Sequence, residues 1–413
     1  MSQRWLQVVA AGIFIDTTYG TLSYSFSVLV TNDAAGGDLG TAAVAGAFGL
    51  ALLVSGVASL WVGTVADTVG CRWLMAVGSV VGAAGLALLS LCETSWQAML
   101  VMALVVGPAM AATFYEPVYV LMNRWFPAHE RPRAYGVLTL VSGVSITIFT
   151  PLTATLVESV GWRSAVLWLG LILFVVGTVV PLLVLKEPAL QRKSRTTFAS
   201  VSVDTLKGLR SGSARFWCFT AAFCAATAAF SGFSFHIVGL LEARGFDATE
   251  VARVIGIAGL VSLPTRLILP ALAGRVRSLW LLCTCTAVLA GAALLASFAD
   301  AWWQVWLYVV VFGAVFGAVY PLRALVTSEH FDAHFFGRLL GAQALFVAVG
   351  RAAGPAVVGG LADGVEAYSA AFRVCAVVLV LATVALAISL RGTKPAAGQV
   401  DAGNALSEGS VGS

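Results

Sequence analysis

The stretch Arg163-Ser-Ala-Val-Leu-Trp-Leu-Gly-Leu-Ile-Leu-Phe-Val-Val-Gly-Thr-Val-Val-Pro-Leu-Leu-Val-Leu185 carries no ionisable residue after its first position. Wound as a helix at about 1.5 Å per residue, it is long enough to cross a hydrocarbon core of about 30 Å. It is one of about a dozen such stretches between Trp5 and Leu390. Their approximate bounds are 5–30, 41–63, 73–92, 96–122, 134–159, 163–185, 214–240, 249–273, 279–297, 301–326, 336–362 and 368–391. Lipid offers no partner to backbone N–H and C=O groups, so each stretch must satisfy its own by forming a helix. The expected fold is an all-α membrane protein with twelve transmembrane helices in two pseudo-symmetric six-helix bundles.

Composition agrees. Hydrophobic residues make up 59% of the 413 positions and charged residues 11%, against about 25% charged in a soluble domain. Twelve helices of about 20 residues use roughly 240 positions, leaving short loops and no room for a soluble catalytic or nucleotide-binding domain. The net charge of +4 needs no nucleic-acid partner. Of seven cysteines, only Cys283 and Cys285 lie close together, and the spacings suggest neither metal ligation nor a disulfide framework. Neither metal nor cofactor is expected.

Basic residues set the orientation. With the N-terminus inside, Arg72, Arg124, Arg131, Arg133, Lys186, Arg192, Lys193, Arg195, Arg275, Arg277, Arg338 and Arg391 all fall in cytoplasmic loops, as the positive-inside rule requires. Both termini are then cytoplasmic. The Arg-rich, Lys-poor composition suggests a bacterial cytoplasmic membrane. The longest polar interval divides the chain into an N-terminal bundle (1–186), a cytoplasmic linker (187–213), a C-terminal bundle (214–391) and a tail (392–413) expected to be disordered. The halves echo each other: Tyr115, Pro117, Phe126 and Gly136 in the first, Tyr320, Pro321, Phe331 and Gly337 in the second. Such duplications are typical of secondary transporters, which bind substrate between the halves near mid-membrane.

Between spans two and three stands Gly63-Thr-Val-Ala-Asp67-Thr-Val-Gly70-Cys-Arg72. By itself this reads as a charged turn. In context it resembles the Gly-x-x-x-Asp-x-x-Gly-x-Arg signature of the major facilitator superfamily, and the resemblance extends over the whole chain. It implies that Gly63, Asp67, Gly70 and Arg72 form a gating motif that latches the cytoplasmic side. The second-half counterpart, Leu272-Ala-Gly274-Arg275, lacks the acid. An arginine before Gly107 and the Gly-Pro pattern of drug exporters in span five are also missing. Arg4-Trp5, Gly20, Tyr24-Ser25, Thr265-Arg266, Gly354-Pro355, Asp363-Gly364 and Tyr368 are similar to the oxalate–formate and monocarboxylate branch. That similarity implies carboxylate recognition by Arg266.

Charges inside apolar spans cost roughly 2.5–3.5 kcal/mol each on insertion scales, so they should face a cavity or a partner. The candidates are Asp16, Glu116, His236, Arg266, Arg323 and Arg351. Tyr19, Tyr115, Tyr119, Tyr320 and Gln343 are polar candidates to line the same cavity. Each also has a packing explanation: Arg323 reaching the inner surface, Glu116 pairing with an inner arginine, tyrosines bridging helices. With His236 neutral, three arginines face two acids, a balance suited to an anion, with Arg266 its fork-shaped carboxylate partner. A low-dielectric site disfavours an ionised carboxyl, which makes Asp16 and Glu116 the candidates for proton coupling. The expected function is alternating-access transport of a small monocarboxylate-like anion, coupled to protons, by a monomer in the bilayer. The competing expectations are proton-driven efflux of a drug or cationic metabolite and a non-transporting membrane sensor.

Overall fold

A computed structural model describes residues 3–31, 39–187, 213–331, 335–361 and 364–391. Every regular element is helical. Among the described residues, ten continuous helices are long and apolar enough to cross a membrane. The protein is an all-α, multi-pass membrane protein. We number its helices α1 (3–31), α2 (Thr41–Thr68), α3 (Cys71–Ser90), α4 (Ser95–Trp125), α5 (131–160), α6 (162–184), α7 (Ala214–Ala243), α8 (Ala248–Leu272), α9 (Ser278–Ala296), α10 (Trp302–His330), α11 (Phe336–Leu361) and α12 (Val365–Ser389). α5 and α6 form one run that breaks at Gly161, whose φ of 78° suits a residue without Cβ. The linker and tail fall outside the described residues, apart from Glu187 and Ser213.

Outward surfaces are apolar, as a lipid-facing protein requires. Trp73 and Trp280 stand exposed at the starts of α3 and α9, and Trp96 and Trp303 at the starts of α4 and α10. Indole rings favour the two membrane–water interfaces.

The helices are interrupted where the chemistry lies, and neighbouring hydroxyls satisfy the carbonyls left free. A proline cannot donate to the carbonyl four residues earlier. Pro117 thus releases the Thr113 carbonyl, which accepts from Thr18 Oγ1 at 3.1 Å, and Phe114 between them is extended (ψ −163°). Pro270 releases the Arg266 carbonyl, which accepts from Thr139 Oγ1 at 3.3 Å. Pro355 releases the Arg351 carbonyl, which accepts from Ser231 Oγ at 3.1 Å. In α1 a π-helical turn begins at Gly20, and the Asp16 carbonyl accepts from Ser145 Oγ at 2.6 Å. Each bond ties a loosened turn to another helix.

Two seams hold the first half of the chain against the second: α2 with α11, and α5 with α8. Both depend on glycine. A Cβ on Gly63 would stand 2.1 Å from the Gly337 carbonyl oxygen, and one on Gly341 would stand 2.1 Å from that of Ser59. On the other seam, Gly136 lies against the Leu267 backbone and Gly143 against the Arg266 side chain. Overpacking costs typically 1–3 kcal/mol, and about 1.4 kcal/mol moves a two-state equilibrium tenfold. Gly63→Ala should therefore part α2 from α11 at this end and make this packed arrangement about tenfold less populated. Electron–electron distances between spin labels at the ends of these helices would register the change, and an unaltered distance distribution would count against it.

Candidate functional site

Between the seams lies a cavity of about 320 Å³. α4 and α10 bring their interrupted turns to it. The extended residue Phe114 ends one helical stretch, and the next opens with Tyr115 and Glu116, which line the cavity, followed by the buried Pro117. α10 unwinds at Gly317–Ala318 and resumes at Val319, presenting Tyr320 and Arg323. The walls include Tyr19, Tyr115, Glu116, Tyr119, Arg266, Tyr320, Arg323 and Arg351, eight of the eleven residues expected from sequence.

The cavity's charges are unequally satisfied. Glu116 Oε1 meets Arg323 Nη2 at 3.4 Å, joining α4 to α10 across the halves. Arg323 is only 2% exposed and lies over the Phe223 ring, its Cζ 5.6 Å from the centroid. It does not reach the membrane surface, so the snorkelling explanation fails and the pairing one holds. Arg266 threads between Gly143 and Gly317, and its Nε donates to Ser262 Oγ at 3.3 Å. Its charge acts on Tyr115. Arg351 faces the cavity among Tyr19, Tyr24, Tyr320 and Glu116 and, among the described residues, has no carboxylate in ion-pair range. Among the described residues, Arg266 and Arg351 thus make no ion pair, while Glu116, the acid on the cavity wall, is engaged by Arg323.

Tyrosine rings form much of the opposing wall. Tyr19 stacks on Phe114 at 3.9 Å, Tyr115 stacks on Tyr119 at 5.5 Å, and the Tyr115 hydroxyl bonds to Ser142 Oγ at 2.7 Å.

Three expected residues stand outside the cavity. Asp16 is buried behind the wall beside α5, and its Oδ1 finds no hydrogen-bond partner among the described residues. Its backbone carbonyl accepts from Ser145 on α5, the helix it packs beside. His236 Nε2 is 2.9 Å from the Pro355 carbonyl, bridging α7 to α11. Gln343 is buried between α11 and α10, its Oε1 accepting from Thr327 Oγ1 at 3.1 Å. Conversely, Tyr24, Ser55, Ser59, Ser231 and Ser234 line the cavity without being on the expected list of site residues. Ser55 with Ser59, and Ser231 with Ser234, are spaced i,i+4 and i,i+3, which puts each pair on one face of an apolar helix. That spacing was the available signal.

The gating segment is mostly helix, not loop. Gly63 and Asp67 belong to α2, and only Val69 and Gly70 (φ 120°) make the turn. Asp67 accepts from the Gly337 N–H at 3.2 Å and the Arg338 N–H at 3.1 Å, capping the N-terminus of α11. A carboxylate there satisfies orphan donors and meets the positive end of the helix dipole. Arg72 donates to the Pro181 carbonyl at 2.8 Å and to that of Leu182. Arg124 Nη1 meets Glu187 Oε1 at 2.5 Å, and Glu187 in turn caps α3 through the Cys71 and Arg72 N–H groups.

A multi-pass helical protein with glycine-dependent seams around a charged central cavity has the build of a membrane transport protein. The sequence model of the Major Facilitator Superfamily matches residues 8–355, and the chain belongs to that family of transport proteins. Among curated relatives, monocarboxylate transporter 4 of Rattus norvegicus is 33% identical over 101 residues, covering 24% of this chain and 21% of that protein. The MFS-type transporter pynF of Aspergillus niger is 27% identical over 211 residues, 49% of this chain and 48% of that protein. The chain thus spans about a fifth of the monocarboxylate transporter's length and about half of the fungal protein's. The crystal structure of the human organic anion transporter MFSD10 (TETRAN) superposes with a TM-score of 0.73 at 16% identity, covering 94% of this chain and all of that one. At that identity the likeness concerns the fold.

Proposed function

We propose that this protein is a secondary transporter that carries a small organic anion across the cell membrane by alternating access. The observation that carries the reading is the cavity's charge: among the described residues Arg266 and Arg351 lack carboxylate partners, and Glu116 is matched by Arg323. An anion with a carboxylate head meets the planar guanidinium fork, and its apolar body meets the tyrosine wall. The names of the monocarboxylate and organic anion transporters it resembles point to the same chemistry. Efflux of a cation finds no unengaged acid on the cavity wall among the described residues.

The transport unit is read as twelve crossings in two related bundles, 1–186 and 214–391, joined by a cytoplasmic linker. α1 and the division at Gly161 add two crossings to the ten continuous helices. Supporting the duplication, Trp73 and Trp280, Trp96 and Trp303, Gln97 and Gln304, and Glu116 and Arg323 share one 207-residue spacing. Gln97 and Gln304 even make the same bonds, each accepting backbone N–H groups at the start of its helix. Glu116 and Arg323, one from each half, face each other and pair. Both termini are assigned to the cytoplasm and the unit to a monomer. The Asp67 cap on α11 serves as the latch of the cytoplasmic side.

Proton coupling is assigned to Glu116. Protonation breaks its pair with Arg323, and release of the proton restores it. Asp16, away from the cavity, is a second proton acceptor acting through α1. Purified protein in proteoliposomes should accumulate a radiolabelled small carboxylate when an inward proton gradient is imposed. Uptake indifferent to the gradient would remove the coupling, and the absence of saturable uptake for every carboxylate offered would remove the anion reading.

A further inference from the structure

The walls of the cavity are built largely from rings. Of the 24 described residues that line it, eight are aromatic, whereas aromatic residues make up 10% of the chain. Leucine and valine, common elsewhere in the chain, contribute one residue each, Leu52 and Val347. The rings are held from behind. Tyr19 is backed by Phe114, and the Tyr115 hydroxyl is occupied by Ser142. Phe316 stacks on Phe312 at 5.1 Å and meets Phe230 at 6.1 Å. Tyr19, Tyr115, Phe316 and Tyr320 each keep part of their surface uncovered. They also stand near the two arginines. α10 carries Phe316 and Tyr320 around Gly317, where a Cβ would lie 2.6 Å from Arg266 Cγ, and the Arg266 charge acts on Tyr115 of α4. The Arg351 charge acts on Tyr19 of α1 and Tyr320 of α10. Each guanidinium therefore has rings from both halves of the chain in its surroundings.

We propose that the anion carried is an aromatic carboxylate, a flat ring bearing a carboxyl group, and that Tyr19 and Phe316 select it by contact with the ring. The inference rests on the anion reading above and narrows it. Aromatic pairs favour offset-stacked and edge-to-face contacts, which contribute beyond the area they bury. A saturated ring of the same size buries similar area without that contribution. Because the rings on the wall are already packed against their neighbours, they lose little freedom when a ligand arrives. Size points the same way. At about 30 Å³ per water molecule, a cavity of about 320 Å³ holds about ten. An acid the size of acetate leaves most of that volume, and most of the ring surface, wet. A ring with its carboxyl group fills far more of it.

The test is thermal unfolding of the full-length protein in detergent, in sodium benzoate against sodium cyclohexanecarboxylate at neutral pH and equal ionic strength. The two acids match in carbon number and are both ionised, but only benzoate is flat and aromatic. Each should raise the midpoint and saturate, with a half-saturating concentration about tenfold lower for benzoate. Acetate should need a higher concentration than either. Phe316→Leu and Tyr19→Leu, which remove a ring and keep an apolar side chain, should each lower the benzoate preference to about threefold or less. Structural damage alone would weaken both acids alike and leave the preference where it was. Equal affinity for the two acids in the wild-type protein would overturn the aromatic inference and leave the anion reading standing. A tenfold preference that persists in both leucine variants would overturn the assignment to these rings. No shift with any of the three acids would remove the anion reading and this inference with it. Should the leucine variants fail to fold, competition of the two acids for radiolabelled benzoate uptake by the wild-type protein in proteoliposomes measures the same preference independently.

Discussion

Arg351→Ala abolishes measurable high-affinity uptake of a small carboxylate while leaving the protein folded. The guanidinium faces the cavity and makes no ion pair among the described residues, so its loss strands no carboxylate there. A hydrogen bond to a charged group contributes about 1.5–3 kcal/mol, which corresponds to roughly a 10- to 150-fold weaker apparent affinity. Arg266→Ala has an effect of similar size with an added structural component, because its side chain fills the space between Gly143 and Gly317. Lysine at position 351 restores charge without the fork and recovers part of the loss. Substrate-concentration curves for uptake in proteoliposomes, together with melting midpoints, separate the two contributions. An Arg351→Ala protein with unchanged KM would remove Arg351 from the substrate site.

Much of this architecture was legible in the chain. Apolar length fixed the helices because lipid leaves the backbone no alternative. The spacing of Glu116, Pro117, Tyr320 and Arg323 brought the right turns of α4 and α10 to attention. Helix rotation was less visible. Asp16 sits mid-span and is costly to bury, yet it lies behind the cavity wall, beside α5. His236 looked like a cavity residue, but its ring lies 2.9 Å from the Pro355 carbonyl on α11, a neighbour the sequence does not place beside it. Periodicity reports which residues share a face, not which neighbour that face meets. The seams illustrate the same gap. Gly63 and Gly341 are unremarkable among so many glycines until the opposing carbonyls are placed 2.1 Å from where a Cβ would stand. With Asp16 off the wall, the balance of charge in the cavity is also more positive than the sequence count of three arginines against two acids.

The second large effect falls on Glu116 and Arg323. Arg323 is almost wholly buried and Glu116 largely so, and removing one member of a buried ion pair costs typically 3–5 kcal/mol because the other charge is left alone. Arg323→Met should thus destabilise the protein severely, and Glu116→Gln somewhat less, since the glutamine oxygen still accepts from Arg323. Replacing both, Glu116→Gln with Arg323→Met, removes the stranded charge and recovers most of the stability. The coupling energy extracted from the four proteins should reach about 1 kcal/mol or more, within the range found for residues in contact. Function should not follow stability. If Glu116 is the proton acceptor, the doubly substituted protein folds and binds carboxylate through Arg266 and Arg351, yet its uptake ignores an imposed pH gradient. Exchange of labelled for unlabelled carboxylate, which needs no net proton movement, should persist in it. Gradient-driven accumulation by the double variant at the wild-type level would show that the pair holds the halves together without carrying the coupled proton, and would turn attention to Asp16.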